Sequence, residues 1–281
     1  MIIDMRVRPP ARGFLGLSIF RYPPASYAPT RFGAPLAPSY AECSMDLLLQ
    51  EMDEAGVTLG VAMGRQAAPI WGSVPNEDIV AIVREYPGRF VGFAGVDVTD
   101  LATALRDVER AAHEWGFRGV NVEPAVAAQP LYADDRHLYP VYARCQDLGL
   151  PVSISLSAQM GPDMTYSDPL RVQRVAKDFP GLRIVISHAA WPWVMAAVGA
   201  AFTCGNVYLS PDLYMLMPEL PGALDYVHAA NSFMGDRLLF GSAYPVRPIK
   251  ESVEAFHRLP LRPELVRPVL YDNAARLLGL S

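Results

Sequence analysis

Five polar residues could do chemistry if the fold brought them together: Arg6, Arg8, Glu123, His188 and Asp212. Arg6 and Arg8 stand two apart in Ile2-Ile3-Asp4-Met5-Arg6-Val7-Arg8, so a strand would point both to one side. Two guanidiniums on one face suit a carboxylate, because the planar fork meets two oxygens at once. His188 follows the β-branched run Ile184-Val185-Ile186 and Ser187, ahead of an aromatic turn containing Trp191, Pro192 and Trp193. Imidazole titrates near neutral pH, so such a residue can take a proton and return it. Glu123 or Asp212 could orient the imidazole or activate a water. Plainer readings stand beside these. The histidine could simply cap a core strand. The arginines could pair with Asp4, Glu123 or Asp212 in a buried network. Glu123 could hold a turn before Pro124, and Asp212, after Pro211, could be a turn or cap residue.

These residues need elements to position them. Apolar patterning and breakers predict strands at 1–8, 57–63, 90–98, 117–123, 151–157, 183–188, 206–212 and 237–243. Helices are predicted at 45–55, 76–85, 101–115, 138–148, 169–179, 193–201 and 222–231, then at 250–258, 263–270 and 273–278. Asn76 and Asp100 are candidate N-caps. Strict alternation implies parallel strands joined by crossover helices. Eight such units in 281 residues give the strand count of a (β/α)8 TIM barrel. A doubly wound open sheet is the alternative, but no Gly-x-Gly-x-x-Gly turn follows any strand. One domain, 1–281, is expected. Its stretch 9–45 is rich in proline and aromatics, with Phe14, Phe20, Tyr22, Tyr27, Phe32 and Tyr40, and reads as a lid or as an oligomer contact that would admit a homodimer.

In a barrel the C-terminal strand ends make the site. Read in order they offer Arg6 and Arg8, then Met63 to Arg65, Asp97, Asn121 and Glu123, Ser155 and Ser157, His188, Ser210 and Asp212, and Ser242 to Tyr244. Trp191, Trp193, Tyr208, Tyr214 and Tyr244 supply an aromatic rim. His188, Glu123 and Asp212 are therefore the expected catalytic residues. Arg6, Arg8, Asn121, Ser155, Trp191 and Tyr244 are expected to bind a small anionic, carboxylated substrate. A net charge of −5 without a basic block argues against nucleic acid. No apolar run suits a membrane span, and the N-terminal apolar stretch is too short for a signal peptide. Cys43, Cys145 and Cys204 lack metal-type spacing and read as reduced thiols of a cytoplasmic protein.

Five motifs in chain order carry a resemblance. Ile2-Ile3-Asp4-Met5-Arg6-Val7-Arg8 is similar to an opening Ile-Ile-Asp-x-His-x-His. Gly116-Phe117-Arg118-Gly119-Val120-Asn121-Val122-Glu123-Pro124 is similar to a fourth-strand Gly-x-x-Gly-x-x-x-x-Pro. Ser187-His188-Ala189-Ala190-Trp191-Pro192 resembles a sixth-strand Ser/Ala-His-x-Gly-x-Pro. Phe240-Gly241-Ser242-Ala243-Tyr244-Pro245 resembles Phe-Gly-Ser-Asp-Tyr-Pro, and Asn273 to Leu280 resembles a closing helix. Together they resemble the amidohydrolase-related (amidohydrolase 2) family of TIM-barrel hydrolases and decarboxylases. The resemblance implies an amidohydrolase-like barrel and, in metal-using members, ligands at positions held here by Arg6, Arg8, Ser155, His188 and Ala243. Only His188 could serve there, since arginine is donor-only and a catalytic zinc needs about three protein ligands. The family's eighth-strand aspartate, a general base, is replaced by Ala243.

The expectation is thus a protein without metal or other cofactor, a lactonase-like hydrolase or a lyase acting on a small carboxylated molecule. The family's metal-free lactone-opening branch keeps histidines and an aspartate that this chain lacks. Two alternatives remain: an inactive relative that binds small anions or serves a structural role, and an enzyme with a metal relocated to Glu123, His188 and Asp212.

Overall fold

The computed structural model describes residues 1–21 and 35–280. Seven strands form one parallel sheet in sequence order: β1 Ile2–Val7, β2 Val57–Met63, β3 Phe90–Gly95, β4 Gly119–Val122, β5 Val152–Ser155, β6 Ile184–Ser187 and β7 Val207–Ser210. Their runs are β-branched and apolar because both faces are covered, the inner by the barrel core and the outer by helices. Ser44 caps the helix Met45–Ala55, accepting from Leu47 N at 3.3 Å, and Gly56 ends it in the left-handed conformation (φ 72°). Asp100 caps Leu101–His113 as expected. Asn76 does not cap. It begins Asn76–Glu85, and its amide instead pairs with both backbone groups of Gly95 at 2.9 Å.

The β1–β2 pairing carries the first detail that matters for a site. Asp4 pairs with Gly60 and Val7 with Ala62, so three steps on β1 oppose two on β2. This extra residue is a β-bulge, which re-aims the side chains that follow it. Ile3 and Met5 therefore pack in the inner cluster with Val61, Met63, Phe93, Val185 and Leu239, while Arg6, the next residue, also reaches the inner strand ends. Val7 goes to the outer core.

The eighth strand, predicted at 237–243, is irregular. Leu238 bridges Leu209 of β7, and Tyr244 bridges Val7 of β1. Leu239 N donates to Leu209 O at 2.9 Å and Met5 N to Phe240 O at 3.0 Å. This segment thus closes the barrel between β7 and β1 through isolated bridges. Its ladder is broken because Ser242 N–H turns to the Asp4 carboxylate (3.0 Å), which also accepts Arg6 N–H on the same oxygen (3.0 Å).

Asp4 is fully buried, and its second oxygen has no hydrogen-bond partner among the described residues. Burial pushes its pKa up to about 7 from 3.8, against the hydrogen bonds from Ser242 and Arg6. The folded protein then binds a proton there more tightly than the unfolded chain does. This contribution is present at low pH and lost as pH rises from about 4 through about 7, with a ceiling on the order of 4 kcal/mol. Asp4→Asn keeps one carbonyl acceptor and removes the charge. Urea melts at about pH 5 and about pH 8 should show the wild type losing stability across this interval and the variant losing clearly less. Equal losses would show that Asp4 is not the group responsible.

The long loop contributes Arg12–Gly16, Ser18–Arg21 and Pro38–Ala41 to the described fold, with Tyr40 Oη donating to Ile19 O at 2.7 Å. Tyr22, Tyr27 and Phe32, on which the lid reading partly rests, lie outside the described residues. Among the described residues no helix is long and apolar enough to cross a membrane.

Candidate active site

Left-handed backbone at non-glycine residues marks the ends of three consecutive inner segments. After β6, His188, Ala189 and Ala190 have φ of 63°, 42° and 59°; Asp212 after β7 has 53°, and Ala243 has 59°. For residues with a Cβ this conformation costs roughly 1–2 kcal/mol each, so surrounding contacts must enforce it. Tyr226 Oη holds the first turn by donating to Ala189 O at 3.0 Å. The turns bring His188 and Asp212 together. His188 Nδ1 lies 3.0 Å from Asp212 Oδ2, its backbone N–H donates to the same oxygen at 3.2 Å, and Ser210 Oγ donates to Asp212 Oδ1 at 2.5 Å.

Glu123, just past β4, is the hub of the second cluster. Arg6 Nη2 donates to Glu123 Oε1 at 3.0 Å and to Ser155 Oγ at 3.2 Å. Arg65 donates to both Glu123 oxygens, from Nε to Oε2 and from Nη2 to Oε1 at 3.1 Å, while Ser155 Oγ adds a bond at 3.0 Å. Arg65 reaches Glu123 because the ends of β2 and β3 touch: a Cβ on Gly95 would stand 2.5 Å from Arg65 N, so only glycine allows this approach. Arg6 Nε stands 3.9 Å from Asp212 Oδ2, which links the two clusters.

Arg8 is the odd member. Its Nη2 is 4.0 Å from Glu123 Oε1, and its Nε has no hydrogen-bond partner among the described residues, although the residue is only 5% exposed. Burial, then repulsion from Arg65 and Arg6, pushes its pKa well down, and Glu123 and Asp212 offset this only in part. The guanidinium keeps its proton nonetheless, so Arg8 carries a buried positive charge. Burial works against the Glu123 charge, yet Arg65, Arg6 and Arg8 outweigh it and hold that carboxyl well below the usual range. Burial, followed by Arg6, lowers the His188 pKa against the pull of Asp212, so the imidazole is neutral at pH 7. Asp212 is held ionised despite its burial by His188, Arg6 and Ser210.

Arg8, Arg65 and His188 share the wall of a cavity of about 90 Å³. Its apolar walls come from two small clusters outside the main core: Met160 with Trp71, and Leu213 and Tyr214 with Val246. Ser18 and Ile19 of the long loop also line it. Tyr214 meets His188 edge-on (6.2 Å between ring centroids), stacks on Trp191 at 5.0 Å, and shares a 2.8 Å hydrogen bond with Ser157 Oγ.

Of the residues singled out in the sequence, Arg6, Glu123, Ser155, His188 and Asp212 meet in one buried network, and Arg8 and His188 face the cavity. Arg6 and Arg8 do not form an equal pair, because Arg6 is engaged by Glu123 and Ser155. Three others stand back from the cavity lining. Asn121 donates to Gly64 O at 2.7 Å. Trp191 backs Tyr214 and donates to Pro221 O at 3.0 Å. The Tyr244 hydroxyl is bonded to Ser39 Oγ at 2.7 Å. Arg65 falls inside the strand end 63–65 in the sequence, with nothing there to single it out. Trp71, Met160 and Leu213 carry no sequence signal, since loop apolar residues are common.

The sequence model of the amidohydrolase family matches residues 3–280. The chain belongs to the amidohydrolase family. A TIM-barrel protein from Bordetella bronchiseptica of uncharacterised function is 43% identical, with a TM-score of 0.94 over 99% of this chain and 98% of that one. The chain is also similar to the 2-keto-4-carboxy-3-hexenedioate hydratase of a Sphingobium species, at 26% identity over 147 residues, 45% of this chain and 42% of the hydratase. The chain thus spans less than half the length of that curated relative. It shares its fold with a dihydroxybenzoic acid decarboxylase from a Polaromonas species solved with manganese and 2-nitroresorcinol. That TM-score is 0.72 at 19% identity, covering 99% and 97% of the two chains.

The donor set of this chain does not fit such a metal. Among the described residues no three His, Cys, Asp or Glu side chains are grouped to hold an ion. Glu123 and Asp212 are already neutralised by Arg6 and Arg65, whose fixed positive charges repel a cation.

Proposed function

We propose that this protein is a metal-independent acid–base enzyme that opens a small carboxylated lactone. The observation that carries this reading is Arg8: a guanidinium that is buried, short of partners among the described residues, and on the wall of a cavity that also holds a neutral His188 facing Asp212. The substrate's carboxylate pairs with Arg8, a charge-assisted contact that fixes orientation. His188 Nδ1 faces the Asp212 carboxylate at 3.0 Å, which leaves Nε2 as the base that takes a proton from the attacking water and returns it to the ring oxygen as the lactone C–O bond breaks. The Arg8 and Arg65 charges stabilise negative charge that develops on the carbonyl oxygen. Glu123 keeps the arginines in place and is not asked to move a proton. The two apolar clusters accept a flat or branched body, which agrees with the carboxylated compounds named for the hydratase and decarboxylase relatives.

A lyase is the second reading, favoured by the activities of those relatives. An arginine that holds a carboxylate stabilises the charged ground state, and loss of CO₂ removes that charge. A carboxylate on Arg8 therefore serves as an anchor and not as the leaving group. Water addition to a double bond uses the same base and anchor.

A panel of carboxylated lactones, hydroxybenzoates and unsaturated acids, each with its neutral amide or ester, tests the proposal. Carboxylates should raise the melting temperature and the neutral analogues should not. Arg8→Met should weaken carboxylate binding tens-fold or more, corresponding to about 2–3 kcal/mol. Turnover of whichever substrate reacts should survive prolonged chelation. Equal stabilisation by neutral analogues sinks the anchor, and chelator-sensitive turnover sinks metal independence.

A further inference from the structure

A helix that is apolar on every side is normally buried on every side. The helix Val194–Thr203 departs from that rule. Its sequence, Val-Met-Ala-Ala-Val-Gly-Ala-Ala-Phe-Thr, carries no charged residue. Ala197, Val198 and Ala201 are buried, yet Met195 and Phe202 are 68% and 67% exposed. Met195, Gly199 and Phe202 stand at i, i+4 and i+7, so they form one outward stripe. The patch widens beyond the helix. Phe233 meets Phe202 edge-on at 5.0 Å between ring centroids, and Trp193, just before the helix, donates to Met164 O at 3.3 Å. All three added side chains, Phe233, Trp193 and Met164, are exposed. Gly199 is an independent observation. A Cβ built on it would find no heavy atom within 4 Å among the described residues beyond its own helix backbone. Glycine is a poor helix former, and the fold itself does not require one at this open position. What a bare Cα permits there is close approach from outside.

We infer that this face docks a second copy of the chain, as a twofold pair of antiparallel helices that cross at Gly199. The segment Met195-Ala-Ala-Val-Gly-Ala-Ala-Phe202 reads alike from either end in residue size: large, small, large. An antiparallel copy therefore sets the Met195 of each chain against the Phe202 of the other and brings the two glycines to the axis, the self-complementary contact that twofold symmetry demands. The area agrees. Met164, Trp193, Met195, Phe202 and Phe233 together expose on the order of 500 Å², taking about 200 Å² for each side chain when fully open. A standard interface buries about 800 Å² per partner, somewhat over half of it apolar, so the patch supplies that apolar share. Charge favours a like face. The helix offers no cation to an anionic lipid surface and no charge to an oppositely charged protein. Two chains of net charge −5 repel least where neither presents a charge.

Light scattering on the full chain at about 10–100 μM should give twice the mass of one chain. Met195→Glu combined with Phe202→Glu sets four like charges on the joined face. Both side chains are exposed, so the core is untouched and the variant should still melt cooperatively. It should weaken dimerisation at least about a hundredfold and run at the mass of one chain. A crosslink locates the axis without adding charge. In a Cys43→Ser background the remaining Cys145 and Cys204 are buried. There Gly199→Cys should form a disulfide between chains under copper phenanthroline in air, because two residues at the axis stand within reach of an S–S bond. Ile70→Cys, exposed elsewhere, should stay largely uncrosslinked. A monomeric wild type overturns the inference and leaves the face to a different protein or a lipid surface. A dimer that survives the two glutamates, or that crosslinks through Ile70→Cys as readily as through Gly199→Cys, overturns it by placing the contact elsewhere.

Discussion

Glu123→Gln should lower the stability of the folded protein by about 3–5 kcal/mol, the usual cost of removing one partner from a buried ionic cluster. Glutamine preserves the shape and one acceptor oxygen, so little of this loss would come from packing. What it removes is the charge that neutralises Arg65 and Arg6 and partly screens Arg8. All three arginines are buried, so none can recover its hydration by a change of rotamer alone. The pH dependence identifies the cause. The arginines hold the folded-state pKa of Glu123 well below its ordinary value of 4.5, although burial alone would raise it. Its contribution is therefore fully present above that value and is lost as pH falls through the folded pKa. Urea denaturation should show a large gap between wild type and variant near neutral pH, and a narrower gap in acid as far as the wild type remains folded. A gap under about 1 kcal/mol at neutral pH would mean that the arginines are compensated by other groups.

The same network explains which parts of the molecule were legible in the sequence. Alternating apolar runs and helical stretches gave the barrel, because strands buried on both faces must be apolar and crossover helices must cover them. Asp100 marked a helix start through local chemistry that does not depend on the rest of the fold. Asn76 looked like a similar cap, yet tertiary structure took its side chain to Gly95 instead. The eighth strand reads as regular in the sequence. Its irregularity depends on the Asp4 carboxylate, 238 residues away from Ser242, capturing a ladder N–H. Arg6 and Arg8 read as equals because period-two reasoning fixes direction and says nothing of partners. Only the positions of Glu123 and Ser155 in space give Arg6 Nη2 its hydrogen bonds, while Arg8 comes no nearer than 4.0 Å to Glu123. The left-handed turn at His188, Ala189 and Ala190 had no glycine to announce it, since neighbours such as Tyr226 impose the strain. The apolar cavity walls were equally silent, because Met160, Leu213 and Val246 are ordinary residues until loops from different strands converge.

His188→Gln should reduce turnover of a reacting carboxylate by about 10²- to 10⁴-fold while leaving ligand affinity close to that of the wild type. Glutamine can still donate to Asp212, so the turn after β6 should survive, but it cannot accept and return a proton at neutral pH. Asp212→Asn should cost a comparable factor for a different reason. An amide can donate to Nδ1 and so favour the tautomer with its proton on Nε2, which removes the base from the cavity. The pH profile separates this role from a purely structural one. Burial and Arg6 lower the His188 pKa below its ordinary 6.5, with Asp212 opposing them. The free enzyme's kcat/KM should therefore rise with pH through a midpoint below about 6.5 and level off by neutrality. Losing Asp212 removes the group that favours the imidazolium, so residual activity in Asp212→Asn should have its midpoint at still lower pH. Stability should follow the same sign. The unfolded chain binds a proton at this histidine below about pH 6.5 that the folded protein resists, so the neutral imidazole's contribution weakens as pH falls. Activity that instead declines as pH rises through this window would make His188 an acid in the reaction. A His188→Gln protein that keeps more than about a tenth of wild-type turnover would remove it from proton transfer altogether and shift the role to a group in the cavity that the present geometry leaves without a base's properties.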